Sequence, residues 1–144
     1  MTQTEVQPRT WRAIRALLVF ASVLTVLYWI AWYADRPLVA SSTTASYYDF
    51  ENAFPLADAW MAFCLVAAAV QLTRARPTAL LWLLLSSGSG GYLFGMDVLY
   101  DVEHGVWTSG GGGAFEALLN VFTLVISVIV ASWTWRNRRI LLHD

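Results

Sequence analysis

The chain has 144 residues, of which 58% are hydrophobic and 13% are charged, and its formal net charge is −1. Its mean hydropathy is +0.53, which is well above that of an ordinary soluble domain of this size. This composition excludes an ordinary soluble domain and predicts an integral membrane protein.

Four apolar stretches predict the fold. Each has about 20 residues, which is enough to cross a hydrocarbon layer of about 30 Å at about 1.5 Å per residue. The tight connection 74–77 makes the second and third stretches antiparallel neighbours. We therefore predict an all-α integral membrane protein, an antiparallel bundle of four transmembrane helices, that forms one domain over residues 1–144. The spans are expected at about residues 14–33, 55–73, 78–100 and 115–135.

The arginines divide unequally between the two ends of these spans. All nine basic residues are arginines, and only Arg36 lies on the side opposite to the others. Because positively charged segments favour the cytoplasm, we expect both termini there, in a multi-pass protein of the plasma (inner) membrane. The use of arginine without lysine favours a bacterial source. The arginines assigned to the cytoplasmic side are Arg9, Arg12, Arg15, Arg74, Arg76, Arg136, Arg138 and Arg139.

The outer side carries most of the acids, and this charge decides which partners are expected. An acidic face repels the phosphate backbone, so nucleic acid is excluded as a partner. It suits cations, protons or a basic partner, and the lipid bilayer is the surrounding partner in every case. The outer acids are Asp35, Asp49, Glu51, Asp58, Asp97, Asp101, Glu103 and Glu116.

Thiol and cofactor chemistry have little support in the sequence. Cys64 is the one cysteine, and a lone thiol cannot form an internal disulfide or a CxxC redox pair. The chain has no phosphate-binding glycine loop or other cofactor motif. We therefore predict no cofactor.

Three ionisable residues share one face near the outer end of the third span. Asp97, Asp101 and His104 are separated by four and then three residues, so they stack along that face of a helix. The helix dipole disfavours a carboxylate at a C-terminal end, and intramembrane charge is costly. The two aspartates therefore require a partner, such as a cation, a proton, Arg36 or His104. His104 is also consistent with an exposed loop residue.

The fourth span carries a matching polar stripe, and the second contributes one acid. Glu116, Asn120, Thr123 and Ser127 recur at helical spacing, and Asp58 follows one turn after a proline. For Asp58 and Glu116, a position in the first helical turn is a sufficient structural explanation.

Turning both stripes inward keeps the polar groups out of lipid and predicts a cavity that is acidic at its outer mouth and narrows towards hydroxyl groups. Carboxylates and a histidine are ligand types that a divalent ion tolerates, but without a second histidine or a cysteine the presence of a metal stays unknown. The residues expected to bind a ligand or cation are Asp58, Asp97, Asp101, His104, Glu116 and Asn120.

Small residues are frequent in the third span. Gly91 and Gly95 form a GxxxG match, and Gly88 extends the same glycine-rich face. Such a face predicts close helix packing, either within the bundle or against a homo-oligomer or partner helix. The second outer loop, about 101–114, contains the run Gly110–Gly113 and is expected to be mobile.

Three functions remain open at this stage. The leading hypothesis is a small membrane protein that binds or transports a cation, a proton or a cationic small molecule from the outer side. The second is an accessory subunit that uses its acids and its glycine-rich face to dock to a partner. The third is an intramembrane enzyme for a lipid-like substrate, with His104 and a carboxylate as acid and base.

Overall fold

The computed structural model describes residues 9–108 and 110–142, with Arg9 described by its backbone only. It is helical, with no strand in this described part of the chain. The elements are α1 (Arg9–Ala34), α2 (Arg36–Val39), α3 (Ala45–Glu51), α4 (Pro55–Thr73), α5 (Ala79–His104), a 3-10 turn (Val106–Thr108), α6 (Gly111–Arg136) and α7 (Arg138–Leu142). Helices α1, α4, α5 and α6 are long and apolar enough to cross a membrane. The prediction of an all-α chain with four long apolar helices is confirmed.

The long helices pack in chain order. Helix α4 lies between α1 and α5, and α5 packs against α6. Helices α1 and α6 meet over a much shorter stretch, where the rings of Trp11 and Trp133 and those of Phe20 and Phe122 are each 6.1 Å apart between centroids. The bundle therefore has three extensive helix interfaces and one partial one.

One half of the bundle holds a continuous apolar core. We call it the arginine-rich half because the α4–α5 connection and the C-terminal end of α6 carry arginines there. Leu18, Leu72 and Leu83 are completely buried in it, and Leu141 of α7 covers its end. Dispersion contacts among close-packed side chains from all four long helices hold this half together.

The other half, which we call the acid-rich half, is covered by short elements. The predicted spans end at about residue 33 and resume at about residue 55 with no helix expected between them, whereas the structure forms α2 and α3 there. The Thr44 hydroxyl caps α3 by accepting a hydrogen bond from the Tyr47 backbone N–H at 3.4 Å. Trp32 and Tyr47 are buried in a small aromatic cluster beneath this cover.

Helices α5 and α6 are longer than hydropathy alone suggested. Helix α5 continues to His104 and ends at Gly105, whose φ of 63° suits a glycine cap. Helix α6 begins at Gly111, four residues before the predicted start. At about 1.5 Å per residue each helix is about 39 Å long, so both exceed the hydrocarbon thickness.

Most of the glycine run belongs to the first turn of α6, which corrects the expectation of a loop there, and Gly112 and Gly113 pack closely against other segments. A Cβ added to Gly113 would collide with the Val106 carbonyl oxygen, and one added to Gly112 would lie 2.6 Å from the Ser41 carbonyl oxygen. Glycine lets the start of α6 approach the 3-10 turn and the α2–α3 connection this closely.

Candidate functional site

A cavity of about 550 Å³ lies in the acid-rich half, bounded by α1, α3, α4, α5 and α6. Four carboxylates from four different elements line it: Glu51, Asp58, Asp97 and Glu116. Most of the remaining wall is apolar, with leucines from α1, α5 and α6. A concave, mostly apolar space of this size with a few convergent polar groups has the form of a small-molecule binding site.

Two of these carboxylates accept hydrogen bonds from α1. The Tyr28 hydroxyl donates to Glu51 at 3.2 Å, and the Trp29 indole N–H donates to Asp58 at 2.8 Å. Asp58 does lie in the first turn of α4, as the structural explanation required, but it also faces the cavity. Both donors are neutral, so within residues 9–108 and 110–142 neither carboxylate forms an ion pair with a basic side chain.

Glu116 is held by the short elements that cover the cavity. It is 4% exposed and accepts hydrogen bonds from the Ser41 hydroxyl at 2.6 Å and the Tyr47 hydroxyl at 3.0 Å, both to Oε2. Because α6 begins at Gly111, Glu116 lies in the second helical turn. Its proposed role in the first turn is therefore wrong, since hydropathy placed the start of the helix too late.

Asp97 differs from the other three carboxylates. It lines the cavity, yet it forms no hydrogen bond or ion pair with any residue in 9–108 or 110–142. A half-buried carboxylate without a donor is unusual, because burial of unpaired polar groups is costly. The cavity itself is thus the place from which a partner for Asp97 can come.

Asp101 lies one turn further along α5, and its carboxylate is surrounded by other side chains of the protein. It is 2% exposed, and its Oδ2 accepts hydrogen bonds from Asn120 Nδ2 at 2.6 Å and Trp107 Nε1 at 2.9 Å. Neither Asp101 nor Asn120 lines the cavity. The structure therefore places this pair in a clamp between α5, α6 and the 3-10 turn, and not in the expected shared pocket with Asp97.

His104 lies outside the site. Its ring is exposed and stacks on Tyr100 with centroids 4.0 Å apart, and its Nδ1 is 2.9 Å from the Tyr100 carbonyl oxygen. No hydrogen bond joins it to Asp97 or Asp101 among the described residues. The acid–base pair on which the enzyme hypothesis depends is not assembled here.

The carboxylates are spread around the cavity. Over residues 9–108 and 110–142, no group of three or more His, Cys, Asp or Glu side chains is arranged to hold a metal ion. Below the cavity, a recess of about 40 Å³ is lined partly by the hydroxyl-bearing residues Thr25, Ser86, Thr123 and Ser127. Thr25 and Thr123 line both spaces, so the polar path narrows towards hydroxyl groups in the middle of the bundle.

Sequence reasoning counted Glu51 among the outer acids but not among the ligand-binding residues, and it missed the Glu51 donor Tyr28. Glu51 is 5% exposed and faces the cavity. A signal was available, because Glu51 and Asp58 are seven residues apart and would share one face if α3 and α4 were treated as nearly one helix. Because no helix was expected before residue 55, that spacing was hidden.

The glycine-rich face of α5 points away from the bundle. A Cβ added to Gly88, Gly91 or Gly95 would meet nothing within 4 Å, whereas one added to Gly90 would collide with the Ser127 side chain. The close packing inside the bundle therefore involves Gly90, and the GxxxG face is open.

Comparison with protein-family models, with curated proteins and with solved structures finds no match to this chain. The functional argument consequently depends on the geometry of the chain's own residues.

Proposed function

We propose that this chain is a small membrane protein that binds a cationic small molecule in the acid-lined cavity, either for transport or for recognition. The observation that carries the proposal is Asp97, a carboxylate that faces a cavity of ligand size and receives no hydrogen bond from the described residues. A ligand that brings positive charge and N–H or C–H donors would supply the missing partner.

The balance of donors and acceptors supports a cation over an anion or a neutral acceptor. Hydrogen bonds to Glu51, Asp58 and Glu116 involve one oxygen of each carboxylate, and every donor is a neutral hydroxyl or indole group. The buried Oδ1 of nearby Asn120 also has no partner among the described residues. The unpaired carboxylate and amide oxygens in and beside the cavity carry negative charge or partial negative charge, which favours a ligand that brings positive charge.

The charge distribution supports an orientation for the site. Arginines occupy the ends of the helices opposite to the cavity, so the positive-inside rule favours cytoplasmic termini and an outward-facing acid-rich half. We accordingly propose an inner-membrane location in a bacterium. Site-directed labelling of an introduced cysteine at exposed Thr43, in a Cys64→Ala background, tests this orientation in intact cells.

The function is tested by measuring equilibrium binding of radiolabelled tetraphenylphosphonium to the protein in lipid nanodiscs. Asp97→Asn should weaken binding at least tenfold, because the isosteric amide removes the charge that attracts the cation. The matched control is Asp101→Asn, four residues away on the same helix and outside the cavity, which should bind within about twofold of the unchanged protein. Equal binding by Asp97→Asn and the unchanged protein would overturn the proposed function.

A second candidate function is an accessory or self-associating subunit, and the open glycine face favours it. Gly88, Gly91 and Gly95 leave room for a helix to approach α5 closely. Crosslinking in native membranes would then trap a dimer or a stoichiometric partner, and Gly91→Leu would abolish the product. A crosslinking pattern unaffected by Gly91→Leu would remove this candidate.

A further inference from the structure

We infer that the ligand enters the cavity sideways from the bilayer, through an opening between α1 and α6, and that it is a lipophilic organic cation. This inference rests on the proposed function, since it names the ligand class and route for the same site. Its basis is the shape of the α1–α6 seam together with the residues that line the cavity behind it.

The seam is closed in the arginine-rich half and open in the acid-rich half. The last ring contact across it joins Phe20 and Phe122. Beyond this contact, Leu27 of α1 and Leu118 of α6 both line the cavity and are 53% and 63% exposed. Two such exposed leucines on facing helices, with no ring contact between α1 and α6 beyond Phe122 among the described residues, mark the rim of an opening.

The remaining walls are closed by packing. The α1–α4, α4–α5 and α5–α6 interfaces are extensive. The acid-rich end is covered by α2 and α3, and this cover is fastened through the Ser41 and Tyr47 hydrogen bonds to Glu116. The α1–α6 rim is therefore the least obstructed route, and in a membrane its exposed leucines would face lipid chains.

The lining matches a molecule with an apolar body and a delocalised charge. Leu24, Leu93, Leu119 and Phe122 supply apolar wall, while the carboxylates approach from α3, α4, α5 and α6. An inorganic ion would have to shed its water at an apolar rim and would then need converging oxygen ligands. A lipophilic cation partitions into the bilayer, passes a leucine rim and needs only the diffuse charge of this cavity.

The route is tested by association kinetics of radiolabelled tetraphenylphosphonium with the protein in nanodiscs. The double variant Leu27→Trp/Leu118→Trp should lower the association rate constant at least tenfold by filling the rim. Leu99→Trp is the matched control, because Leu99 is 55% exposed on α5 and does not line the cavity; its rate should be unchanged. The milder double variant Leu27→Phe/Leu118→Phe should show an intermediate association rate constant. It keeps the test valid if the double tryptophan variant misfolds.

The outcomes separate the inference from the function it rests on. If Asp97→Asn abolishes binding but both rim variants associate at the unchanged rate, the lateral route is wrong and the binding function stands. If Asp97→Asn binds normally, the function itself fails.

The ligand class is tested separately by competition. Two competitors are used: tetramethylammonium, a hydrophilic cation, and triphenylphosphine oxide, a neutral lipophile. Each should displace tetraphenylphosphonium with an inhibition constant at least a hundredfold higher than the dissociation constant of tetraphenylphosphonium. Displacement by tetramethylammonium at equal affinity would overturn the lipophilic class, and equal displacement by the oxide would overturn the need for charge.

Discussion

The two halves of the bundle are built on different principles. In the arginine-rich half, all four long helices converge on a core that includes the fully buried Leu18, Leu72 and Leu83. In the acid-rich half, α1 and α6 separate around a cavity, and hydrogen bonds to Glu116 and Asp101 join the covering elements to the helices. Apolar packing thus stabilises the arginine-rich half, whereas a few hydrogen bonds hold the acid-rich half together around the cavity.

This difference separates residues that stabilise the fold from residues that are free to serve a ligand. A side chain in the packed half contributes by filling volume, so its loss should be felt in stability. A side chain that faces the cavity already borders empty space, so its loss should be felt mainly in binding. Paired substitutions of the same residue type in different surroundings test this division.

The largest expected effect is on stability, from shortening a leucine in the packed half. Leu18→Ala should lower the free energy of unfolding by about 2–4 kcal/mol, because Leu18 is completely buried and its neighbours come from several helices. Leu119→Ala, which shortens a cavity-lining side chain, should cost less than about 1 kcal/mol. Reversible unfolding by detergent titration measures both, and equal losses would show that the halves are not packed differently.

The second comparison uses two aspartates one helical turn apart. Asp101→Ala leaves the Asn120 amide and the Trp107 indole N–H without their acceptor, and should cost about 1–3 kcal/mol of stability. Asp97→Ala removes a carboxylate that accepts no hydrogen bond from the described residues, so stability should be unchanged or higher. The same unfolding titration measures both variants. A larger stability loss for Asp97→Ala than for Asp101→Ala would refute this assignment of roles.

The sequence predicted the four long helices because a continuous apolar run of about 20 residues has few alternatives in lipid. It also indicated that acids on α4, α5 and α6 would meet near one end. It did not separate Asp97 from Asp101, because helical spacing places both on one face and only the positions of Trp107 and Asn120 decide which carboxylate receives donors. These contacts depend on how the 3-10 turn and α6 pack against α5, which helical spacing does not specify.

The short elements α2 and α3 were harder to predict for a different reason. Their residues are polar and aromatic without a long apolar run, so hydropathy reports only a loop. The cover forms because Tyr47 and Ser41 reach Glu116, which lies more than sixty residues away in the chain. Hydropathy likewise missed the glycine-rich first turn of α6, since glycine contributes little apolar surface.

The third comparison uses two glycines on neighbouring helices, one at the start of α6 and one inside α5. Gly113→Ala should cost about 1–3 kcal/mol, because the added methyl group would collide with the 3-10 turn at Val106 and Trp107. Gly88→Ala meets open space and should raise helix stability by about 0.5–1 kcal/mol. The opposite signs are measurable as shifts of the melting temperature in detergent. A loss of stability for Gly88→Ala would mean that this face is already occupied by another helix.

The smallest effect is expected at the cover of the cavity. Tyr47→Phe removes one of the two hydroxyl donors to Glu116 and also the acceptor of the Ser41 backbone N–H, while the Ser41 hydroxyl still donates to Glu116, so it should cost about 1–2 kcal/mol. The change should concentrate in α3, where backbone amides should exchange faster with deuterium while those of the packed half stay protected. Tyr33→Phe is a suitable control, because Tyr33 is 65% exposed on α1. Uniformly faster exchange in both halves would show that the cover and the packed core unfold as one unit, so that the cavity has no independent lid.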